Sequence, residues 1–231
     1  MKSRRKEYSV EKIRVLAWSE RTEPDSVYPK GINGAIADGL RSHDDFEVST
    51  SSLKDVDQGL GDDRLDASDV LIWWGHNKHD LVSNERAESI ARRVRAGSLG
   101  LIVVHSAILS KPFKALMGTS CGIAGWREDD EPEHVHVVMP NHPIAKGVHD
   151  FTIPRTEMYS EPFDVPAPDV LVLESRYEGG EYFRSGCCWL VGNGRVFSFS
   201  PGHETLPIMM QDEVKTVLSN AVRWVANLAA E

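Results

Sequence analysis

Val70-Leu71-Ile72-Trp73-Trp74-Gly75-His76 holds five apolar residues in unbroken succession and then stops on glycine and histidine. A continuous apolar run of this length, bounded by Gly or polar residues, reads as a strand of a parallel sheet buried on both faces. Two further runs end the same way, Leu101-Ile102-Val103-Val104-His105-Ser106 and Val196-Phe197-Ser198-Phe199-Ser200-Pro201-Gly202-His203-Glu204. In open α/β sheets, ligands bind beyond the carboxyl ends of such strands. Imidazole is the side chain best suited to proton transfer or metal binding near neutral pH. The strand-terminal histidines His76, His105 and His203 are therefore expected to share one site.

The rest of the chain alternates around these runs. Ile13–Trp18 reads as the first strand and Phe46–Thr50 as the second. Between them Ile32, Ala35, Ile36 and Leu40 recur at helical spacing, with Pro29 as the start signal because proline is tolerated in a helix's first turn. Asp55–Asp69 reads as loop and short helix. Ser83 or Asn84 caps a helix with the buried stripe Ala87, Ile90, Ala91 and Val94, and Gly97 ends it. Phe113, Leu116 and Met117 suggest a short helix. Val214, Val217, Leu218, Ala221, Val222, Val225 and Leu228 define a closing amphipathic one. The stretch from about 126 to 191 is rich in Pro, His and acidic residues, with strand-like pieces at His134–Met139, Asp169–Glu174 and Cys187–Val191. It reads as an antiparallel extension of the sheet or a cap, not a second domain. The expectation is one α/β domain over residues 1–231, with 1–11 a poorly ordered N-terminal arm.

Composition narrows the function classes. Apolar residues make up 41% and charged residues 26%, enough to bury a core, and no apolar stretch approaches the ~20 residues of a membrane span. The basic start Met1–Lys6 is followed by Glu7 and Tyr8 rather than an apolar segment, so no secretory signal is expected. Net charge is −9 with no other basic cluster, which argues against nucleic acid as a partner. Three cysteines, Cys121, Cys187 and Cys188, make no disulfide framework and fit a reducing cytoplasm.

The chemistry-bearing residues gather at the strand ends. Gly75 allows close backbone approach before His76, and His79 follows three residues later. His105-Ser106 leaves a strand directly and precedes a helix, the placement of a nucleophile elbow without the surrounding G-x-S-x-G. His105 as base or ligand is favoured over Ser106 as nucleophile. Glu204 beside His203 can orient the ring and fix its tautomer. Glu157 and Glu161 are the acidic candidates elsewhere, and a carboxylate near three imidazoles would complete a metal site or an acid–base pair. Trp18, Trp73, Trp74, Trp126 and Tyr159 offer ring faces suited to the C–H surfaces of a sugar, although such rings serve cores more often. His134, His136 and His142 read as structural or exposed.

The chain resembles the trehalose-utilisation ThuA family over roughly residues 12 to 228. The resemblance rests on Tyr28-Pro29-Lys30-Gly31-Ile32, Asp69–His76, Val104-His105-Ser106, Ser110–Cys121 and Asn141–Gly147, then on Glu157–Phe163, Gly180–Cys188 and Pro201-Gly202-His203-Glu204. It implies a flavodoxin-like three-layer fold with a mostly parallel central sheet, similar to class I glutamine amidotransferases. Their elbow cysteine is replaced here by His105-Ser106, so thiol-dependent glutamine hydrolysis is not expected. Ile108 stands where a second histidine often follows the first in the family.

The resemblance further implies use of trehalose or related disaccharides alongside a sugar oxidoreductase that makes a keto-sugar. The expected catalytic residues are His105, Ser106, His203, Glu204 and Glu161. His76, His105, His203 and Glu161 are the expected ligands of a divalent metal, zinc first, because imidazole with carboxylate and an open position is its usual catalytic shell. Trp18, Trp74, His79 and Tyr159 are the expected sugar contacts. No nucleotide cofactor and no membrane partner are expected, and a homo-oligomer is the default. Two alternatives stay open: a non-catalytic sugar-binding or regulatory protein, and a hydrolase in which Ser106 is the nucleophile with His203-Glu204 as base and orienter.

Overall fold

The computed structural model describes residues 12–226, so the expected N-terminal arm and Leu228 lie outside the described residues. Its strands are β1 (Ile13–Ser19), β2 (Phe46–Ser52), β3 (Val70–Trp74), β4 (Gly100–Val104), β5 (Ile123–Glu128), β6 (Glu133–Val137), β7 (Phe151–Ile153), β8 (Glu157–Phe163), β9 (Val170–Tyr177), β10 (Tyr182–Val191) and β11 (Gly194–Phe199). The helices are α1 (Ile32–Leu40), α2 (Asp62–Asp66), α3 (Asn84–Ala96), α4 (Lys111–Met117) and α5 (Asp212–Ala226). Among the described residues no helix is long and apolar enough to cross a membrane.

Nine strands form one sheet in the order β2-β1-β3-β4-β11-β10-β9-β6-β7. The first five are mutually parallel. Their order is the flavodoxin-like one, with the strand order reversing between β1 and β3, where the fold opens a crevice at the carboxyl ends. The remaining four are antiparallel. The 126–191 stretch thus does extend the sheet, and it also supplies half of a separate two-stranded ribbon, β5 with β8.

The apolar runs are buried on both faces, as their composition requires. All five residues of β3 are 0% exposed, each contributing roughly 1.5–3 kcal/mol of burial. Successive side chains take opposite faces. Val70, Ile72 and Trp74 pack with α1 and α5, while Leu71 and Trp73 pack with α3 and α4. The result is three layers.

Helix ends follow local chemistry. Ser83 caps α3, its Oγ accepting from the Arg86 N–H, and Gly97 closes the helix in the left-handed conformation. The start of α1 differs from expectation. Pro29 lies before the helix, and the carboxylate of Glu23 accepts the Ile32 N–H instead, at 3.0 Å. A side chain nine residues upstream does the work expected of a local signal.

Candidate active site

Chain reversal at the end of β4 puts His105 at φ 61°, a left-handed conformation that costs a non-glycine residue about 1–2 kcal/mol. Its side chain is 1% exposed. A Cβ on Gly202 would lie 3.2 Å from the His105 Cβ, and Gly202 itself has φ +147°, so glycine at this turn lets the His203 segment close on the elbow. The Trp74 indole N–H donates to the Gly202 carbonyl at 2.8 Å.

The strand ends bring three imidazoles and two carboxylates together. His76 Nδ1 lies 3.3 Å from His105 Nε2 and 3.2 Å from Glu204 Oε2. His105 Nε2 lies 3.1 Å from Glu157 Oε2. The His203 ring stands edge-on to both, with centroids 5.4 Å from His76 and 5.6 Å from His105. Two overlapping sets, His76/His105/Glu204 and His76/Glu157/His203, have donor atoms within 4.8 Å of one another.

Hydrogen bonds assign the rings different tautomers. His105 Nδ1 faces the Ser200 carbonyl at 3.2 Å, which only accepts, so Nδ1 carries the proton. Its Nε2 lone pair then points at the acceptors Glu157 and His76, and the arrangement needs a second proton or a cation between them. His203 Nδ1 accepts the Thr205 N–H at 3.3 Å, which leaves Nε2–H as a donor. Its nearest carboxylates are Glu128 at 3.4 Å and Glu204 at 3.9 Å. Neither His203 Nε2 nor Glu204 Oε2 makes a hydrogen bond among the described residues, although both are buried.

Burial and the charge of His105 hold the His76 ring below the usual histidine range, so it is neutral near pH 7. Burial pushes the Glu157 carboxyl up, but bonding and charge from His105 and the Tyr159 hydroxyl outweigh it and leave the group ionised. Burial keeps the Tyr159 phenol protonated. That phenol donates to Glu157 at 3.0 Å and shares a 2.5 Å contact with Ser106 Oγ.

Glu20, just past β1, escaped sequence reasoning. It is 0% exposed, and one carboxylate oxygen accepts the backbone N–H groups of His76, Asn77 and Lys78 at 2.8–3.0 Å. The other oxygen lies 3.2 Å from His79 Nδ1. Burial opposes the ionised form of Glu20, but His79 and these amides prevail and hold its pKa below the carboxylate range. The Glu-Arg-Thr-Glu loop after an apolar strand was the available signal, and nothing local told its carboxylates apart from solvent-facing ones.

Several expected site residues sit elsewhere. Glu161 turns away from the histidines and pairs with Arg184 at 2.8 Å, while its strand neighbour Glu157 enters the site. The two residues are four apart on β8, which would place them on one face of a regular strand, but the β5–β8 pairing has a register shift near this end. Trp18 is 0% exposed, packed on Trp73 and bonded to the Gln58 carbonyl, so it is core and offers no sugar face. Trp74 is likewise buried and acts on the Gly202 turn. His79 is tied to Glu20. Ser106 Oγ bonds Tyr159 and no imidazole, so the Ser106–His203–Glu204 arrangement of a serine hydrolase is not formed. Ile108 and Leu109 line the cavity over the histidines, with His76, Ser106, Ile123, Trp126, Glu128, Glu157 and Tyr159, enclosing about 230 Å³. A larger cavity of about 630 Å³ lies between α1 and the start of α5, away from every residue of the histidine cluster.

Comparison with known proteins agrees with the fold. The structure is similar to a ThuA-like protein from Bacteroides uniformis, at 17% identity and TM-score 0.70, covering 97% of this chain and 95% of that one. It is also similar to a glutamine amidotransferase from Thermotoga maritima, at 12% identity and TM-score 0.60, covering 94% of this chain and 100% of the other. A cold-adapted beta-galactosidase from Rahnella sp. R3 matches at 11% identity and TM-score 0.59, over 95% of this chain and 32% of that one. At these identities the likeness is one of fold, the amidotransferase-like α/β fold. No curated protein matches the sequence. The family model for ThuA, trehalose utilisation, matches residues 14–225, which takes in every residue of the histidine cluster, and the chain belongs to that family.

Proposed function

We propose that this protein is a sugar-utilisation enzyme that moves a proton at the carbon beside the carbonyl of a keto-sugar. The observation that carries this reading is the convergence of His76, His105, His203, Glu157 and Glu204 at the ends of β3, β4, β8 and β11, beneath a cavity of about 230 Å³. Family membership supports a sugar as substrate. Glu157, ionised and wedged against Tyr159, is the base that takes the proton, and the C–H electron pair passes into the enediolate. His203 lines an adjoining cavity of about 220 Å³ that shares Glu128 and Glu157 with the first, and its Nε2–H is the donor that answers charge developing on the carbonyl oxygen or returns a proton to carbon.

The donor set fits a divalent cation. Ligands at zinc distances of 2.0–2.1 Å sit about 3.3 Å apart along the edges of a tetrahedron. His76 Nδ1 to His105 Nε2 and His76 Nδ1 to Glu204 Oε2 are 3.3 and 3.2 Å. His105, with its outward proton on the Ser200 carbonyl and its Nε2 facing acceptors, has the second shell such a ligand needs. His76, His105 and Glu204 would hold the ion. Bound there, it supplies Lewis acidity to the substrate carbonyl. The three cysteines are buried and unpaired, which supports a reducing, cytoplasmic setting, and a sugar oxidoreductase is the partner whose product this chemistry would consume.

The test is exchange of the carbonyl-adjacent hydrogen of a keto-glucoside in D2O, followed by NMR. Exchange by the wild type that disappears in Glu157→Gln, with zinc bound at one per chain, is the expected result. Sugar binding without exchange would establish the non-catalytic alternative instead.

A further inference from the structure

Trp126 is the one tryptophan of six that the fold leaves open, at 63% exposure; Trp18, Trp73 and Trp74 are 0% exposed, Trp189 is 3% exposed and Trp224 is half-buried. Isolated exposed apolar residues are ordinary. This one is placed with care. On the β5–β8 ribbon Trp126 pairs with Tyr159 and Glu128 pairs with Glu157. Paired residues of antiparallel strands project to the same side, so two aromatic rings and two carboxylates face the histidine cavity together. Arg127, between them, projects the other way and bonds Glu181 and Asp129, which fastens β5 from behind. The indole therefore stands at the cavity rim on a tethered strand, its face to solvent, at little further entropic cost on binding.

Cavity size supplies the second half of the argument. About 230 Å³ falls below the ~300–1,000 Å³ of pockets that enclose drug-sized ligands. A space of this size takes one sugar ring, and anything attached to that ring must leave through the mouth, past Trp126. Beyond Glu128 and Glu157, which line both, a second polar cavity of about 220 Å³ opens toward Asp130, Thr156 and Thr205. Carboxylates, threonine hydroxyls and His203 line that second cavity, and Trp126 lines only the first.

Resting on the keto-sugar reading above, we propose that Trp126 is an outer subsite. It stacks on the non-reacting ring of a two-ring saccharide while the reacting ring lies over the histidines, and it makes the site selective for disaccharides over monosaccharides. The electron-rich ring face attracts the polarised C–H bonds of a pyranose and shields them from water.

The experiment titrates zinc-loaded protein with trehalose and, separately, with D-glucose, reading both calorimetric affinity and acrylamide quenching of tryptophan emission. Trehalose is expected to protect wild-type emission from the quencher. Trp126→Ala is expected to weaken trehalose about tenfold and glucose less than about twofold, and Trp126→Phe to restore most of the loss. Unchanged trehalose affinity in Trp126→Ala, or continued quenching of the trehalose complex, would overturn the subsite while leaving D2O exchange, and so the keto-sugar reading, intact. Equal weakening of both sugars would overturn it too, by making Trp126 part of the inner cavity. Wild-type protein that binds neither sugar would overturn the subsite as well, and D2O exchange of the keto-glucoside decides the keto-sugar reading separately. A surface indole on a fastened ribbon can be removed without unfolding the chain, and an unchanged Tm confirms that each variant is a fair comparison.

Discussion

The parallel half of the sheet and its antiparallel half build the same site by opposite means. Strands β3 and β4 are apolar throughout and β11 is buried over its last four residues, and each leads to a histidine beyond the strand's end, with Glu204 following His203 after β11. Strand β8 of the ribbon is mixed along its length and contributes from within, with Glu157 and Tyr159 on one face. The first design fixes position by burying everything before the functional residue. The second depends on register, because a one-residue slip would send Glu157 outward. Rigid placement of imidazoles and registered placement of a carboxylate are separable properties, and substitutions can separate them.

The largest effect should come from the parallel half. His105→Ala should lower D2O exchange by roughly 10²–10⁴-fold and abolish stoichiometric zinc, measured by NMR and by metal analysis. Residual exchange near wild type would show that the elbow histidine is scaffold. Next comes a paired test within β8: Glu157→Gln should lose exchange by about 10²-fold or more, while Glu161→Gln should stay within about threefold. Equal losses would mean that register, not the individual carboxylate, governs the site.

Glu20→Ala should destabilise the protein by roughly 3 kcal/mol, a Tm fall of about 6–12 °C, because three part-buried backbone amides and His79 lose their buried partner. Thermal melts check this, and a fall under about 2 °C would show that water replaces the carboxylate without cost.

Acid should weaken the fold gradually. His76 binds its proton less tightly when folded, so the unfolded chain takes up more protons once pH drops below the ordinary histidine value of about 6.5, and stability falls from there. Glu20 and Glu157, both held below their ordinary 4.5, add a second loss as pH falls through and below that value. Denaturant titrations between pH 8 and 4 should show both phases, and stability flat between 7 and 5.5 would remove His76 from the account. The smallest effect belongs to the antiparallel edge. His134 and His136 pair with Glu178 and Asp150 at the surface, and replacing either with Ala should cost under about 1 kcal/mol with exchange unaltered.

Legibility in the sequence divides along the same line. Val70–Trp74 and Gly100–Val104 announce themselves because burial on both faces demands apolar residues throughout, Val196–Phe199 nearly so with Ser198 buried among apolar residues, and the histidines are visible beyond where those runs stop. Strands β5, β7 and β8 carry no such mark. Trp126, Glu128 and Arg127 alternate between a cavity and a back-side ion pair, so hydropathy has no period to show. The choice of Glu161 over Glu157 failed for that reason: both are acidic residues in a Pro-flanked stretch, and only the pairing with β5 and with Arg184 tells them apart. Glu20 was hidden differently, since its partners are backbone amides fifty-six to fifty-eight residues away and amides leave no trace in side-chain pattern.

The bond from the Trp74 indole to the Gly202 carbonyl reaches across the sheet over the intervening strand β4. It begins two residues before His76 and ends one residue before His203. The two turns are thereby harnessed: a shift in one drags on the other, with the His105 elbow confined between them. The same two turns also meet directly, His76 Nδ1 lying 3.2 Å from Glu204 Oε2, so the indole bond is a second tie between them. The site behaves as a three-fingered grip whose outer fingers share a tendon.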